Sequence, residues 1–214
     1  MSSIDLILDK CNHHNNCTGC AACQNICPSN AIEMHADIIA GYKPIVIKNM
    51  CIDCEQCIDV CPLFNEDNNL HYPTEGYAAV AVDNIRRNSS SGGFFSVAAE
   101  EILNQGGVVY GVGWDDKLMA MHLRITQMDG LNKLRYSKYV QSDTSNIFRE
   151  VRKDLERKKA VLFSGTPCQV DGLREYIEAE KMNTEKLYLI DLICGDSPSA
   201  ALWALWWPPV PIIR

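Results

Sequence analysis

"CTGCAACQNICP" (17–28) and "CIDCEQCIDVCP" (51–62) carry one spacing twice, C-x2-C-x2-C-x3-C-P, without a deviation. Such a pair of blocks suits two [4Fe-4S] clusters, with the fourth cysteine of each block ligating the cluster of the other. The reason is geometric. Three thiolates on a tight loop cap three irons of one cubane, and the short helix that follows carries the fourth thiolate away toward its twin. The spacing therefore assigns Cys17, Cys20, Cys23 and Cys61 to cluster one, and Cys51, Cys54, Cys57 and Cys27 to cluster two. Zinc is the competing reading. Tetrahedral zinc sites usually take two separated pairs of ligands, whereas each block here packs four cysteines into eleven residues.

Between the blocks, "AIEMHADIIAGYKPIVIKN" alternates apolar and polar residues as a short hairpin does. A small domain without a large apolar core can be held together by its clusters. Cys11, with His13 and His14 nearby, falls outside both blocks and reads as a loop before the first cluster, a further metal site being the alternative.

The chain of 214 residues has room for one large or two small domains. Its net charge of -7 supplies no basic stripe, which argues against nucleic-acid binding and fits docking on a redox partner protein or a soluble electron carrier. Eleven cysteines in this arrangement, behind an N-terminus without signal-peptide features, point to a reducing cytoplasm and to thiols used as metal ligands. No apolar run reaches the roughly 20 residues of a transmembrane helix. The nearest is "ALWALWWPPVPIIR", whose prolines would break a helix after Trp207.

Beyond Pro62 the composition changes. "LFNEDNNLHYPTEG" reads as a linker, "GYAAVAV" (76–82) as a buried strand, and "SGGFFSVAAEEILNQGG" (91–107) as a helix flanked by glycines. Strands are expected at 108–114, 120–126, 160–165 and 186–194, and helices at 145–159 and from Thr166 onward, with Pro167 in the first turn. The fold class is thus an α+β ferredoxin-like two-[4Fe-4S] domain (1–68), a linker (69–75), and an α/β domain with a mixed sheet (76–214). Two strand-to-helix turns, "SSSGGF" and "SGTPCQ", offer backbone N–H groups to an anion, although small residues at a helix start also serve simply as caps.

"SSSGGFFSVAAEEIL", "SKYVQSD", "VLFSGTPCQVDGLREYI" and "LIDLIC" resemble, in this order, the coenzyme F420 hydrogenase/dehydrogenase beta subunit family, whose bacterial members carry a two-cluster ferredoxin domain in front. The run Gly165–Gln169 is the most specific element. The resemblance implies an iron-sulfur flavoprotein oxidoreductase. FAD would sit in the α/β domain, its phosphates near Ser91, Gly92, Gly93, Gly165 and Thr166. Lys138 and Arg124 stand as charge partners, with surface solvation as the alternative for each. It also implies a third cluster with Cys168 and Cys194 among its ligands; the competing reading of Cys168 is a small packing residue at a helix start.

The sequence departs from the family after Cys194, where Gly195 replaces the usual histidine and the end is rich in tryptophan and proline. The expectation is an incomplete α/β domain with an aberrant tail from about residue 195, a natural short form being the alternative. Two rival functions remain: a ferredoxin-like electron-carrier subunit without flavin, and an inactive truncated remnant whose clusters only hold the fold.

Overall fold

The computed structural model describes residues 17–65 and 75–206. The Cys11, His13 and His14 loop, most of the expected linker and the chain from Trp207 lie outside the described residues.

The first part is built on two similar loops. Helix α1 (Ala22–Ile26) follows the first two cysteines and carries the third, and α2 (Gln56–Asp59) begins at the matching place in the second block. Between them run strands β1 (Ile32–Asp37) and β2 (Gly41–Val46), antiparallel with Ile32 opposite Val46, which is the expected hairpin. The loops share a backbone path. Gly19 and Asp53, each between the first two cysteines of its block, have φ of 72° and 54°; Ala21 and Glu55, each just after the second cysteine, have 65° and 64°. A pair of left-handed residues in each loop turns its short run of cysteines inward around one centre. At Gly19 a side chain is also excluded by space, since a Cβ would lie 2.6 Å from the Tyr42 carbonyl oxygen.

The second part begins with a short helix α3 (Asp83–Arg87), followed by α4 (Phe94–Asn104), β3 (Val108–Trp114), β4 (Ala120–Ile125) and a single turn α5 (Leu131–Leu134). Then come α6 (Ile147–Glu156), β5 (Val161–Gly165), α7 (Pro167–Ala179), β6 (Leu187–Asp191) and α8 (Ala200–Trp206). The sheet order is β4-β3-β5-β6, with β4 antiparallel to β3 and the other neighbours parallel. This is the mixed sheet expected from the alternation of elements.

Strand alternation sorts the core into two layers. On one face Val108, Tyr110, Val161 and Phe163 pack against α6 and α7. On the other, Val109, Ile125 and Leu162 meet Ala99, Ile102 and Leu103 of α4 and Leu131 and Leu134 of α5. The first layer also takes in Ala22, Ile26 and Val60 from the cysteine-rich part. The two parts thus share one core, in which each fully buried large apolar side chain contributes about 1.5–3 kcal/mol.

One expected strand is absent. Residues 75–82 form no strand, and Tyr77, Val80 and Val82 are 85%, 70% and 68% exposed. The apolar run there signals affinity for a strand edge but cannot supply one; it lies along the Gly92–Gly93 turn, to whose Gly92 carbonyl the Ala81 N–H donates. The segment from residue 195 reaches back onto the fold. The Ser199 hydroxyl donates to the Ile38 carbonyl at 2.6 Å, the Trp203 indole donates to the Leu118 carbonyl at 3.0 Å, and its ring stacks on Trp114. Among the described residues no helix is long and apolar enough to cross a membrane.

Candidate metal centres

The eight cysteines of the two blocks line two separate cavities. Cys17, Cys20, Cys23 and Cys61 line one cavity, together with Thr18, Ala21, Ala22, Met34, Pro62 and Leu63. Cys27, Cys51, Cys54 and Cys57 line another. In each, three sulfurs come from one loop and the fourth is delivered by the short helix of the other block. Among the described residues no three His, Cys, Asp or Glu side chains converge closely enough to hold a single ion.

The donor chemistry suits iron. Burial pushes the Cys20 thiol up to about 12 and the Cys57 thiol up to about 11, and holds Cys23 well above the ordinary thiol range; neighbouring sulfurs add to each. Thiols so placed become thiolates only beside a cationic centre, which a cluster's irons supply. Backbone N–H groups already point at sulfur in the second set: that of Ala31 donates to Cys27 Sγ at 3.3 Å and that of Asp53 to Cys51 Sγ at 3.2 Å.

The two cavities face different surroundings. The second lies at the surface, with Cys54 exposed and Ile52 64% exposed beside it. The first is covered by the α/β part. The Thr144 hydroxyl donates to the Cys20 carbonyl, the Gln141 amide to the Thr18 carbonyl, and the Arg149 guanidinium to the carbonyls of Gln24, Asn25 and Cys27. A Cβ on Gly172 of α7 would stand 2.8 Å from Cys20 Sγ.

Cys168 completes this picture. It lines the first cavity along with the four cysteines of cluster one, as does Asp171. Its helix start is fixed by Pro167 and by a capping box, in which Gln169 Oε1 accepts the Thr166 N–H at 3.0 Å. Cys194 is exposed and is not part of that lining. The structure therefore brings Cys168 into the cavity of Cys17, Cys20, Cys23 and Cys61, a proximity that sequence reasoning missed. No local signal could have revealed it, because more than a hundred residues separate Cys168 from Cys61.

The other expected residues take varied places. Phe95 packs near Gly111, and Ile102 near Gly107, so α4 runs antiparallel to β3. The Ser91–Gly93 turn and the Gly165–Thr166 turn consequently open at the same edge of the sheet, where the parallel strands end. Much of their polar surface is engaged within the chain. The Thr166 N–H serves the capping box, Pro167 has no N–H, Leu192 N–H donates to the Gly165 carbonyl, and a Cβ on Gly92 would meet the Ala79 oxygen at 2.6 Å. Arg124 binds Asp154 through two hydrogen bonds of 2.7 and 2.8 Å, and Tyr110 adds a third to the same carboxylate at 2.6 Å. Lys138, half-buried, donates to the carbonyls of Lys133 and Arg135, and burial lowers it to about 8.

Comparison with known proteins agrees with these two parts. The 4Fe-4S dicluster domain family matches residues 16–65. Residues 158–204 match the family that describes the C terminus of the coenzyme F420 hydrogenase/dehydrogenase beta subunit. An uncharacterized polyferredoxin-like protein of Methanocaldococcus jannaschii is 33% identical over 78 residues, 31% of this chain and 46% of that protein. A ferredoxin-like protein in the nif region of Sinorhizobium fredii is 40% identical over 53 residues, 22% of this chain and 75% of that protein. The chain thus spans about half the length of the first of these relatives and three quarters of the second.

Proposed function

Because the chain belongs to the coenzyme F420 hydrogenase/dehydrogenase beta subunit family and carries a 4Fe-4S dicluster domain in front, we propose that this iron-sulfur electron carrier is a flavoprotein oxidoreductase, or the N-terminal part of one. When bound, two cubanes would carry single electrons and FAD would exchange them two at a time, which is the division of labour such cofactors allow. Cys17, Cys20, Cys23 and Cys61 hold cluster one in this reading, and Cys51, Cys54, Cys57 and Cys27 hold cluster two. Ser91, Gly92 and Gly93 border the flavin phosphates, with Gly165 and Thr166 in the adjoining turn.

One observation carries the reading: the cysteine cavities adjoin the core shared with the α/β part through Cys20 and Cys57, while the second presents the exposed Cys54 to solvent. The Cys54 side is where a redox partner protein or soluble carrier docks. The segment Cys17–Cys27, gripped by Gln141 and Thr144 at Thr18 and Cys20 and by Arg149 from Gln24 to Cys27, holds the inner site against α7 and the sheet edge.

A second reading, an electron-carrier subunit without flavin, is favoured by the engaged turn amides at Thr166 and the Ala79 oxygen against Gly92. The experiment that separates them offers the anaerobically reduced protein two acceptors, a one-electron viologen and a two-electron deazaflavin. A flavoprotein reduces both. Reduction of the viologen alone, with no flavin in the denatured supernatant, overturns the flavoprotein reading and leaves the carrier.

A further inference from the structure

We propose that Cys168 is a fifth thiol of the first cluster site, placed to take the iron held by Cys20 whenever Cys20 lets go. The inference rests on the cluster reading above and extends it to a residue outside both cysteine blocks. Cys168 shares its cavity with Cys17, Cys20, Cys23 and Cys61, whereas among the described residues the second cavity is lined by its own four cysteines alone. The geometry also selects Cys20 as the partner. Cys168 and Gly172 stand four residues apart on α7, so they lie on one helix face. Gly172 is the point where that face meets Cys20, whose Sγ would be 2.8 Å and Cβ 2.9 Å from an added Cβ. A residue one turn closer to the helix start, on the same face and lining the same cavity, is on Cys20's side of the site.

The position is held firmly. Gln169 Nε2 donates to Ser142 Oγ at 3.0 Å while its Oε1 caps Thr166, and Thr166 Oγ1 lies 3.1 Å from Cys168 Sγ. The exchange is a balanced ligand substitution. The iron–sulfur bond to Cys20 breaks, a bond from the same iron to Cys168 forms, and the proton of the Cys168 thiol passes to the departing Cys20 sulfur. No electron changes hands. Such a site keeps four thiolate ligands through the loss of Cys20.

The test uses the full chain purified anaerobically in four forms: unaltered, Cys20→Ala, Cys20→Ala/Cys168→Ala, and Cys54→Ala. Iron per polypeptide and the electron paramagnetic resonance of oxidised and reduced samples are read on each. Cys20→Ala should keep about eight irons and show no three-iron signal when oxidised. The double variant and Cys54→Ala should each lose at least one iron and show that signal. Identical iron content and spectra for Cys20→Ala and the double variant overturn the proposal. Should Cys20→Ala fail to accumulate, Cys168→Ala decides. It should hold about eight irons as isolated and release iron to a chelator severalfold faster than the unaltered protein; equal release rates overturn the proposal. An unaltered chain without iron would instead sink the cluster reading itself.

Discussion

Replacing Gly172 with alanine adds one methyl group where α7 presses on the first cluster loop. An ideal Cβ there would lie 2.9 Å from Cys20 Cβ and 3.5 Å from Phe148 Cε2. Comfortable carbon–carbon contact begins at about 3.5 Å, so helix and loop must part by roughly 0.6 Å. Cys20 cannot swing aside as a surface side chain would, because its backbone is held by Thr144 and lies beside the left-handed Ala21. Alanine gains about 1 kcal/mol in helix propensity over glycine, and overpacking a filled core costs about 1–3 kcal/mol. The balance is a loss of up to about 2 kcal/mol, with the strain directed at Cys20. Urea unfolding should move to lower denaturant, and iron release to a chelator should quicken severalfold. Gly76→Ala is the control, since nothing lies within 4 Å of its added Cβ. A Gly172→Ala protein as stable as the parent, releasing iron no faster, would refute the claim that α7 seats directly on the cluster loop.

Further outcomes follow from single contacts. Asp154→Ala strips Tyr110 and Arg124 of their shared acceptor. With Asp154 only 1% exposed and Arg124 31% exposed, equilibrium unfolding should report a loss of about 3 kcal/mol. Arg149→Ala removes the clamp on three carbonyls around α1; charged hydrogen bonds of this kind suggest about 2 kcal/mol, and stripping of iron should accelerate with little change in the α/β circular dichroism. His122 is buried against Phe163 and held by Ser164 and Ser142, and burial lowers its pKa from 6.5 to about 4. The unfolded chain therefore binds a proton in this window that the folded chain refuses. Stability should fall as pH drops below about 6.5, by up to roughly 3 kcal/mol at pH 4. His122→Gln should flatten that slope in urea melts taken at successive pH values, and an unchanged slope would locate the proton elsewhere.

Local chemistry made much of the fold readable. Cysteine spacing fixed which sulfurs meet, because the connection from each loop to its helix is short and covalent. Strands β3 and β5 and helix α7 were legible from apolar runs, glycine pairs and Pro167. What the sequence hid depends on distant partners. The run 76–82 reads as a buried strand since its residues are apolar, yet Val80 and Val82 remain exposed. The short helices α3 and α5 are too brief to show periodicity. Arg124 looked like a loose cation until Asp154, thirty residues away, closed on it. Cys168 is the clearest case. The family resemblance sets it beside Cys194, and its own neighbours in sequence give no hint of the cysteines more than a hundred residues earlier with which it shares a cavity. The core shared between Ala22, Ile26, Val60 and α7 that makes this possible leaves no periodic mark in any single element.

The most direct test of the account is the amount of iron, acid-labile sulfide and flavin per polypeptide, measured on one anaerobic sample of the chain. About eight irons, about eight sulfides and about one flavin are predicted, from two cubanes and one FAD. Zinc in place of iron would contradict the cluster assignment at its root. Eight irons without flavin would contradict the flavoprotein reading and leave a two-cluster carrier, with its inner site set against an α/β part that binds no flavin.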